Sequence, residues 1–396
     1  GDTSSPGPIT AWAAPSISRL SWNGRLIATR KQPDGALSGQ LPGPVPFSLP
    51  TLTGWRFKAE APEAQLSYND SSWTLADHPV TTNPTPPVTT PVLYADDYGF
   101  HHGFVWYRGH FTATGSETGV TLTANGGSHG AFSVWLNGVF LGSIAQGTKQ
   151  TSTNPATPQT RTFSFPSGVL RSGADNVIAV LTQNSGHDED GAYNAPPIDS
   201  QKNPRGLLGA ALQGSTATVT WRLQGNRGGE NPVDRVRGPY NATGLYGTNH
   251  GWHLPGYPDA SWTPVSLPDD WTTRGLSAGV GWYRTTFTLH LPSRSYIPIA
   301  VQLDTLPNGS SAKSRAFIFI NGWLMGQYDN LLGPQHQFYV PAGILNQNGS
   351  NTIAIAEWAL EATGGGLGRV SLVALGDQAG GVPVKLVPSP GYGNLR

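Results

Sequence analysis

The sequence predicts an all-β protein made of two sandwiches, or jelly rolls, in tandem. Three observations lead there. Short apolar runs alternate residue by residue between clusters of Gly, Pro, Asn and Ser; i, i+3, i+4 spacing is almost absent; and one ordered set of four markers occurs twice. Charged residues make up only 12% of the chain, against about 25% in an ordinary soluble domain, which argues against long solvated helices. In chain order the expected strands are Gly119 to Thr123, Phe132 to Leu136, Asn176 to Thr182, Ala217 to Leu223, Thr285 to Leu291, Ala316 to Ile320 and Thr352 to Trp358.

The markers recur with insertions of different length between them. Tyr68-Asn-Asp-Ser-Ser-Trp73 answers Tyr257-Pro-Asp-Ala-Ser-Trp262, and Trp106-Tyr-Arg-Gly-His-Phe111 answers Trp282-Tyr-Arg-Thr-Thr-Phe287. Val134-Trp-Leu-Asn-Gly-Val-Phe-Leu-Gly142 answers Ile318-Phe-Ile-Asn-Gly-Trp-Leu-Met-Gly326, and Ala174-Asp-Asn-Val-Ile-Ala-Val180 answers Gly349-Ser-Asn-Thr-Ile-Ala-Ile355. Asn-Gly between alternating apolar residues predicts a type I′ hairpin at Asn137-Gly138 and Asn321-Gly322, because these two residues take successive positive φ values cheaply. Trp-Tyr-Arg in a strand sends an aromatic to each face and offers an Arg to a carboxylate, so Trp106, Arg108, Trp282 and Arg284 read as core packing plus buried ion pairs. The expected division is a lead-in or the remnant of a preceding β-domain over 1–50, a first jelly roll over 51–215 and a second over 216–396.

Lys+Arg and Asp+Glu both number 24, so no basic field exists to hold nucleic acid or an anionic membrane surface. There is no cysteine, hence no disulfide, thiolate metal site or cysteine nucleophile. No apolar run approaches the roughly 18 residues of a membrane span, and Gly1 to Pro8 has neither a charged nor an apolar leader region. A start without Met suits a processed chain or a fragment. Sequons at Asn69, Asn241, Asn308 and Asn348 fit a secreted glycoprotein.

The paired markers resemble the galactose-binding-like jelly rolls attached to glycoside hydrolases. More specific are Asp97-Tyr-Gly-Phe-His-His-Gly-Phe-Val-Trp-Tyr-Arg-Gly-His-Phe111, Asn203-Pro-Arg-Gly-Leu-Leu208, Trp221-Arg-Leu-Gln-Gly-Asn-Arg-Gly-Gly-Glu230, Arg237-Gly-Pro239, Gly333-Pro-Gln335 and Glu357-Trp-Ala-Leu360. In this order, from about Trp55 to about Leu375, they resemble the C-terminal part of the fungal family 35 β-galactosidases. The resemblance implies a secreted enzyme whose TIM barrel carries both catalytic glutamates of a retaining mechanism, followed by all-β domains of which the last two stand here. No position matches a catalytic motif of the family, so no catalytic residue is expected. The expected partners are the N-terminal catalytic chain or domains, and galactosides. By the same resemblance, Tyr193 would stack on the aglycone sugar, with Asp188 and Glu189 holding the loop or touching hydroxyls. The other reading is a free-standing β-galactoside-binding lectin.

Several lookalikes carry less. Gly126-Gly-Ser-His-Gly130 fits a nucleophile elbow, but it lies between two strands and not between a strand and a helix. Asp96-Asp97, Asp188-Glu-Asp190 and Asp269-Asp270 are adjacent carboxylates, which diverge on a strand and do not converge on one glycosidic bond. His101-His102 diverges likewise and lacks a third ligand, so no metal site is assigned. No cofactor is expected, and a structural calcium on a jelly-roll loop is left open.

Overall fold

A computed structural model describes residues 1–127, 130–145, 158–187, 202–226, 234–241, 244–304, 313–330, 335–363 and 365–380. The chain is all-β, and each copy of the markers builds one β-sandwich from a six-stranded and a three-stranded sheet. The first six-stranded sheet runs Val139–Ala145, Ala131–Leu136, Asp175–Asn184, His102–Thr112, Thr220–Asn226, Thr74–Leu75, opposite Gln159–Ser164, Gly119–Asn125 and Gly206–Gln213. The second runs Trp323–Asp329, Ser314–Ile320, Asn348–Ala359, Gly279–His290, Arg56–Ala59, Thr263–Pro264, opposite Gln337–Val340, Ile299–Leu303 and Val370–Ala374. Sheet membership therefore crosses the expected boundary at 215/216 in both directions. Arg56–Ala59, expected in the first jelly roll, pairs with Gly279–His290 of the second; Thr220–Asn226, expected in the second, pairs with His102–Thr112 of the first.

Each marker has a visible job. The hairpin tips have φ of 51° and 87° at Asn137 and Gly138, and 48° and 83° at Asn321 and Gly322. The Asn side chains do more than turn the chain. Asn137 Nδ2 donates to Asn176 Oδ1 at 2.8 Å and its Oδ1 accepts from Val177 N at 2.8 Å; Asn321 repeats this with Asn351 Oδ1 and Thr352 N, at the same two distances. The hairpin tip is thus fastened to the first residues of the neighbouring strand, Asp175–Asn184 in one copy and Asn348–Ala359 in the other. Ahead of the sandwiches, Asn23-Gly24 closes a third hairpin between Leu20–Trp22 and Arg25–Ile27.

Trp-Tyr-Arg divides between two cores. Tyr107 and Tyr283 point into their own sandwiches. Trp106 and Trp282 point the other way, into one shared core where the two six-stranded sheets stack face to face, with Phe104, Trp135, Leu181, Phe317, Phe319 and Trp358. Phe104 meets Phe317 edge-on at 5.0 Å. Across this seam Trp358 Nε1 donates to Ser133 Oγ at 2.9 Å, Gln183 Nε2 to Gln327 Oε1 at 2.8 Å, and Arg315 to Gln183 Oε1 at 2.7 Å. These sheets are apolar on both faces, as a sheet buried on both faces requires.

The arginines are the polar counterpart of that burial. Arg108 is fully buried; its Nε donates to Asp70 Oδ2 at 2.7 Å, and its other nitrogens to the carbonyls of Glu63, Gln65 and Tyr68. Arg284 repeats the pattern with Asp259 Oδ2 at 3.0 Å and the carbonyls of Trp252 and Leu254. Each guanidinium nitrogen donates at least one of these bonds, so the buried cation has no nitrogen without a partner. Removing the acid alone strands a buried cation. Asp70→Ala is expected to cost about 3–5 kcal/mol, read as the shift in urea denaturation.

The segment that passes from Arg56–Ala59 of the second sheet to Thr74–Leu75 of the first carries two carboxyls, Glu60 half-buried and Glu63 buried. Glu60 accepts from the backbone N–H of Tyr246 and Gly247, each at 2.9 Å, and from Trp282 Nε1. A side chain at Gly247 would collide with the Trp282 indole at 2.4 Å. Burial pushes Glu60 up to about 7, against the lowering by its three donors. Glu63 is 3% exposed; burial and then the neighbouring Glu60 push it up to about 8, despite Arg108. Both folded values exceed the unfolded one, so the stability they contribute is complete below about pH 4.5 and is lost as pH rises through 7 to 8. His253, held down to about 4 by burial, works the other way below its ordinary 6.5. Chemical denaturation between pH 5 and 8 is expected to show falling stability, with a shallower fall in Glu63→Gln, in which His253 is untouched.

Candidate functional site

A large departure between the two copies follows Asp175–Asn184 in the first and Asn348–Ala359 in the second, on the way to the next strand of the facing three-stranded sheet. In the first sandwich that interval runs from Asn184 to Gly206; in the second it shrinks to Ala359 to Val370, with the short strand Gly366–Leu367 paired to Asp269–Asp270 on the way. Asp188, Glu189 and Tyr193 belong to this interval and lie outside the described residues. Its two roots are described, and they are built with more care than a plain connection needs.

Asp96 sits in a 3₁₀ turn, Asp96–Tyr98, closed by Gly99 at φ 84°. Its carboxylate gathers three partners: His101 Nδ1 at 3.0 Å, the Arg205 backbone N–H at 3.1 Å, and His187 Nε2 at 3.5 Å. His187 is at one root and Arg205 at the other, so a single carboxylate ties the two together. Burial alone would raise the Asp96 carboxyl; the hydrogen bonds from His187 and His101, with the Arg205 N–H, outweigh it and hold the group below its ordinary range. The Arg205 guanidinium, fully buried, donates back to Gly186 O and Asn203 O, each at 2.9 Å. Asn184 completes the frame, donating to His101 O at 3.0 Å and accepting from Gly186 N at 2.9 Å. Beneath it Gly206, at φ 95°, lets the Tyr107 hydroxyl approach to where a Cβ would be 1.9 Å away.

Among the described residues the second sandwich lacks this anchor. Counting back from the left-handed Gly275 that closes its corresponding turn, Thr272 stands where Asp96 does, and Gly365 stands before Gly366 where Arg205 precedes Gly206. A side chain at Gly365 would meet the Trp271 ring at 2.1 Å. The anchor therefore belongs to the copy with the long interval.

The remaining candidates disperse. His101 turns to Asp96 while His102 faces Asn226 Nδ2 at 3.0 Å, so the pair diverges. Asp269 Oδ2 accepts from the Tyr283 hydroxyl at 2.6 Å and pairs with Arg274, whereas Asp270 caps the following turn through Thr272 N at 2.8 Å. Among the described residues no group of three His, Asp or Glu is placed to hold a metal ion. Gly126 and Gly130 flank a strand-to-strand connection whose Ser128 and His129 lie outside the described residues. Of the sequons, Asn69 and Asn348 are exposed and Asn308 lies outside the described residues. Asn241 is 5% exposed, with its Nδ2 donating to Gly322 O at 2.8 Å and its Oδ1 accepting from Leu324 N at 2.9 Å. The nitrogen that would carry a glycan is committed inside the fold, so Asn241 is a structural residue.

The family model described as the β-galactosidase second all-β domain matches the chain twice, at residues 68–188 and 246–363. The chain belongs to this family. As a pair of β-galactosidase second all-β domains, it is 38% identical over 385 residues to the probable β-galactosidase C of Neosartorya fischeri, covering 96% of this chain and 37% of that protein. It is 40% identical over 365 residues to the probable β-galactosidase C of Penicillium rubens, covering 91% and 35%. To the probable β-galactosidase B of the same species it is 37% identical over 383 residues, covering 94% and 36%. The domain pair thus spans little more than a third of the length of these relatives.

Asp96→Ala is expected to release both roots: amide exchange at residues 184–187 and 203–206 should quicken together, while the Asn137 and Asn321 hairpins keep their protection. Unchanged exchange at either root would show that the carboxylate does not join them.

Proposed function

We propose that this domain pair is the non-catalytic C-terminal part of a secreted β-galactosidase, bracing the catalytic domain that hydrolyses terminal β-D-galactosyl residues with retention. The observation that carries the reading is the alignment: nearly all of this chain matches proteins named β-galactosidases, over little more than a third of their length. The internal asymmetry supports it. One copy keeps a short connection, while the other spends a buried Arg205 and the Asp96 carboxylate on fixing the roots of a long one. Long connections on a rigid sandwich are where a scaffold places contacts with a ligand or a partner. On this reading Tyr193, Asp188 and Glu189 face the leaving-group side of the galactosidase site. Secretion draws support from the exposed sequons at Asn69 and Asn348, and no helix among the described residues is long and apolar enough to cross a membrane.

The test separates this chain from the rest of the protein. The chain alone is expected to leave a chromogenic β-galactoside intact, and co-expression with the N-terminal remainder of the protein should yield a stable complex that cleaves it. In that complex Tyr193→Ala should change kinetics with aglycone sugars more than with a nitrophenyl leaving group. Hydrolysis by the chain alone would overturn the non-catalytic reading. Failure to associate, together with a melting temperature raised by galactose, would point to a free-standing galactoside-binding protein.

A further inference from the structure

The outer face of the second sandwich's three-stranded sheet differs from that of the first in a way that packing does not require. In each sandwich the inward residues of this sheet feed the core: Phe163, Val120 and Leu122 in the first, Phe338, Val301 and Leu372 in the second. The outward rows are in register. Thr162, Thr121 and Ala211 lie side by side in the first copy, as Gln337, Gln302 and Ser371 do in the second. The next row is Ser164, Gly119 and Gln213 in the first, and Tyr339, Ala300 and Val373 in the second.

In the first copy the polar row closes on itself: Thr121 and Thr162 share a hydrogen bond of 2.7 Å, and Gln213 donates to Thr121 at 2.9 Å. The second copy leaves its row open. Gln337 Nε2 donates to Gln302 Oε1 at 2.9 Å, and the opposite end of each amide has no partner among the described residues. Beside it Tyr339 and Tyr296 stand 46% and 44% exposed, with their hydroxyls 3.4 Å apart. Tyr339 on this sheet and Tyr296 on the adjoining short strand Ser295–Tyr296, beside the open amides and the Ser371 hydroxyl, offer an apolar ring face next to hydrogen-bond donors and acceptors. Neither row contains a charged side chain, so nothing there recognises an anion or a cation.

We propose that Tyr296 and Tyr339, with Gln302, Gln337 and Ser371, form a binding platform for a neutral pyranose sugar on the outer sheet of the second sandwich. A pyranose matches both halves of the surface. Its axial C–H face packs on the tyrosine rings, and its equatorial hydroxyls meet the amides and the serine. The platform stands on the geometry of this sheet alone and does not depend on the chain's association with a catalytic domain.

Affinity electrophoresis of the intact protein, in native gels cast with β-1,4-galactan, xyloglucan or mixed-linkage β-glucan, tests it directly. At least one of these polysaccharides is expected to retard the protein. Tyr339→Ala and Tyr296→Ala should each weaken that retention about tenfold in apparent Kd, and Tyr339→Phe should keep most of it. Both positions are on the surface, so the melting temperature should not move, and hydrolysis of a small chromogenic galactoside by the whole enzyme should be unaffected. Retention equal in native protein and Tyr339→Ala would place the sugar elsewhere. No retention in any of the three gels, or a change in sedimentation without retention, would overturn the platform.

Discussion

Burial of both faces of both six-stranded sheets is the constraint on which the other features depend. A sandwich ordinarily leaves the outside of each sheet wet; here the outsides of the two larger sheets are pressed together around Trp106, Trp282, Trp135 and Trp358. Once that seam is dry, each polar group in it needs a partner of its own. Arg108 and Arg284 turn outward-facing strand positions into closed ion pairs, and Trp358 finds Ser133 across the seam. Glu60 and Glu63 fit the same environment by favouring the neutral form. Their shifted protonation follows from where the sheets meet.

Much of the fold could be read from the chain because its determinants are local. Asn-Gly at 137–138 and 321–322 dictates its own turn, and alternation marks the strands beside it. The Trp-Tyr-Arg strands also announced their two faces, since a sheet with aromatics on both sides has no wet side. What the alternation did not say is which surface each face would meet. Trp106 and Trp282 find one another only because the sandwiches stack. The assignment of Arg56–Ala59 to the second sheet rests on pairing with residues far along the chain, which no window of neighbouring residues encodes.

The candidate site was legible in a different proportion. The resemblance pointed to the long interval of the first sandwich, and the duplication made its excess length visible. Asp96 was conspicuous only as half of an acidic pair, and Arg205 only as part of Asn203-Pro-Arg-Gly-Leu-Leu208. Their link crosses the sandwich from one chain segment to another, so its partners had no sequence signature. Asn241 shows the converse: its sequon is present in letters, but its amide is consumed by the Gly322 carbonyl and the Leu324 N–H. Nothing in the sequence sets Tyr296 and Tyr339 apart from the other tyrosines, because exposure depends on which face of a sheet is left open.

The path of the chain through the two sheets has a mechanical consequence. The polypeptide enters the second sandwich at Arg56–Ala59, leaves to build the whole of the first, and returns to finish the second. The first sandwich is therefore a side branch. Tension along the chain would first part the backbone pair of Thr3 and Ala379 and then load the second sandwich, where Arg56–Ala59 is held against Gly279–His290, while the first stayed slack. A single cut in the segment between the sandwiches would not separate them either, since the fragment carrying the first would still own one strand of the second.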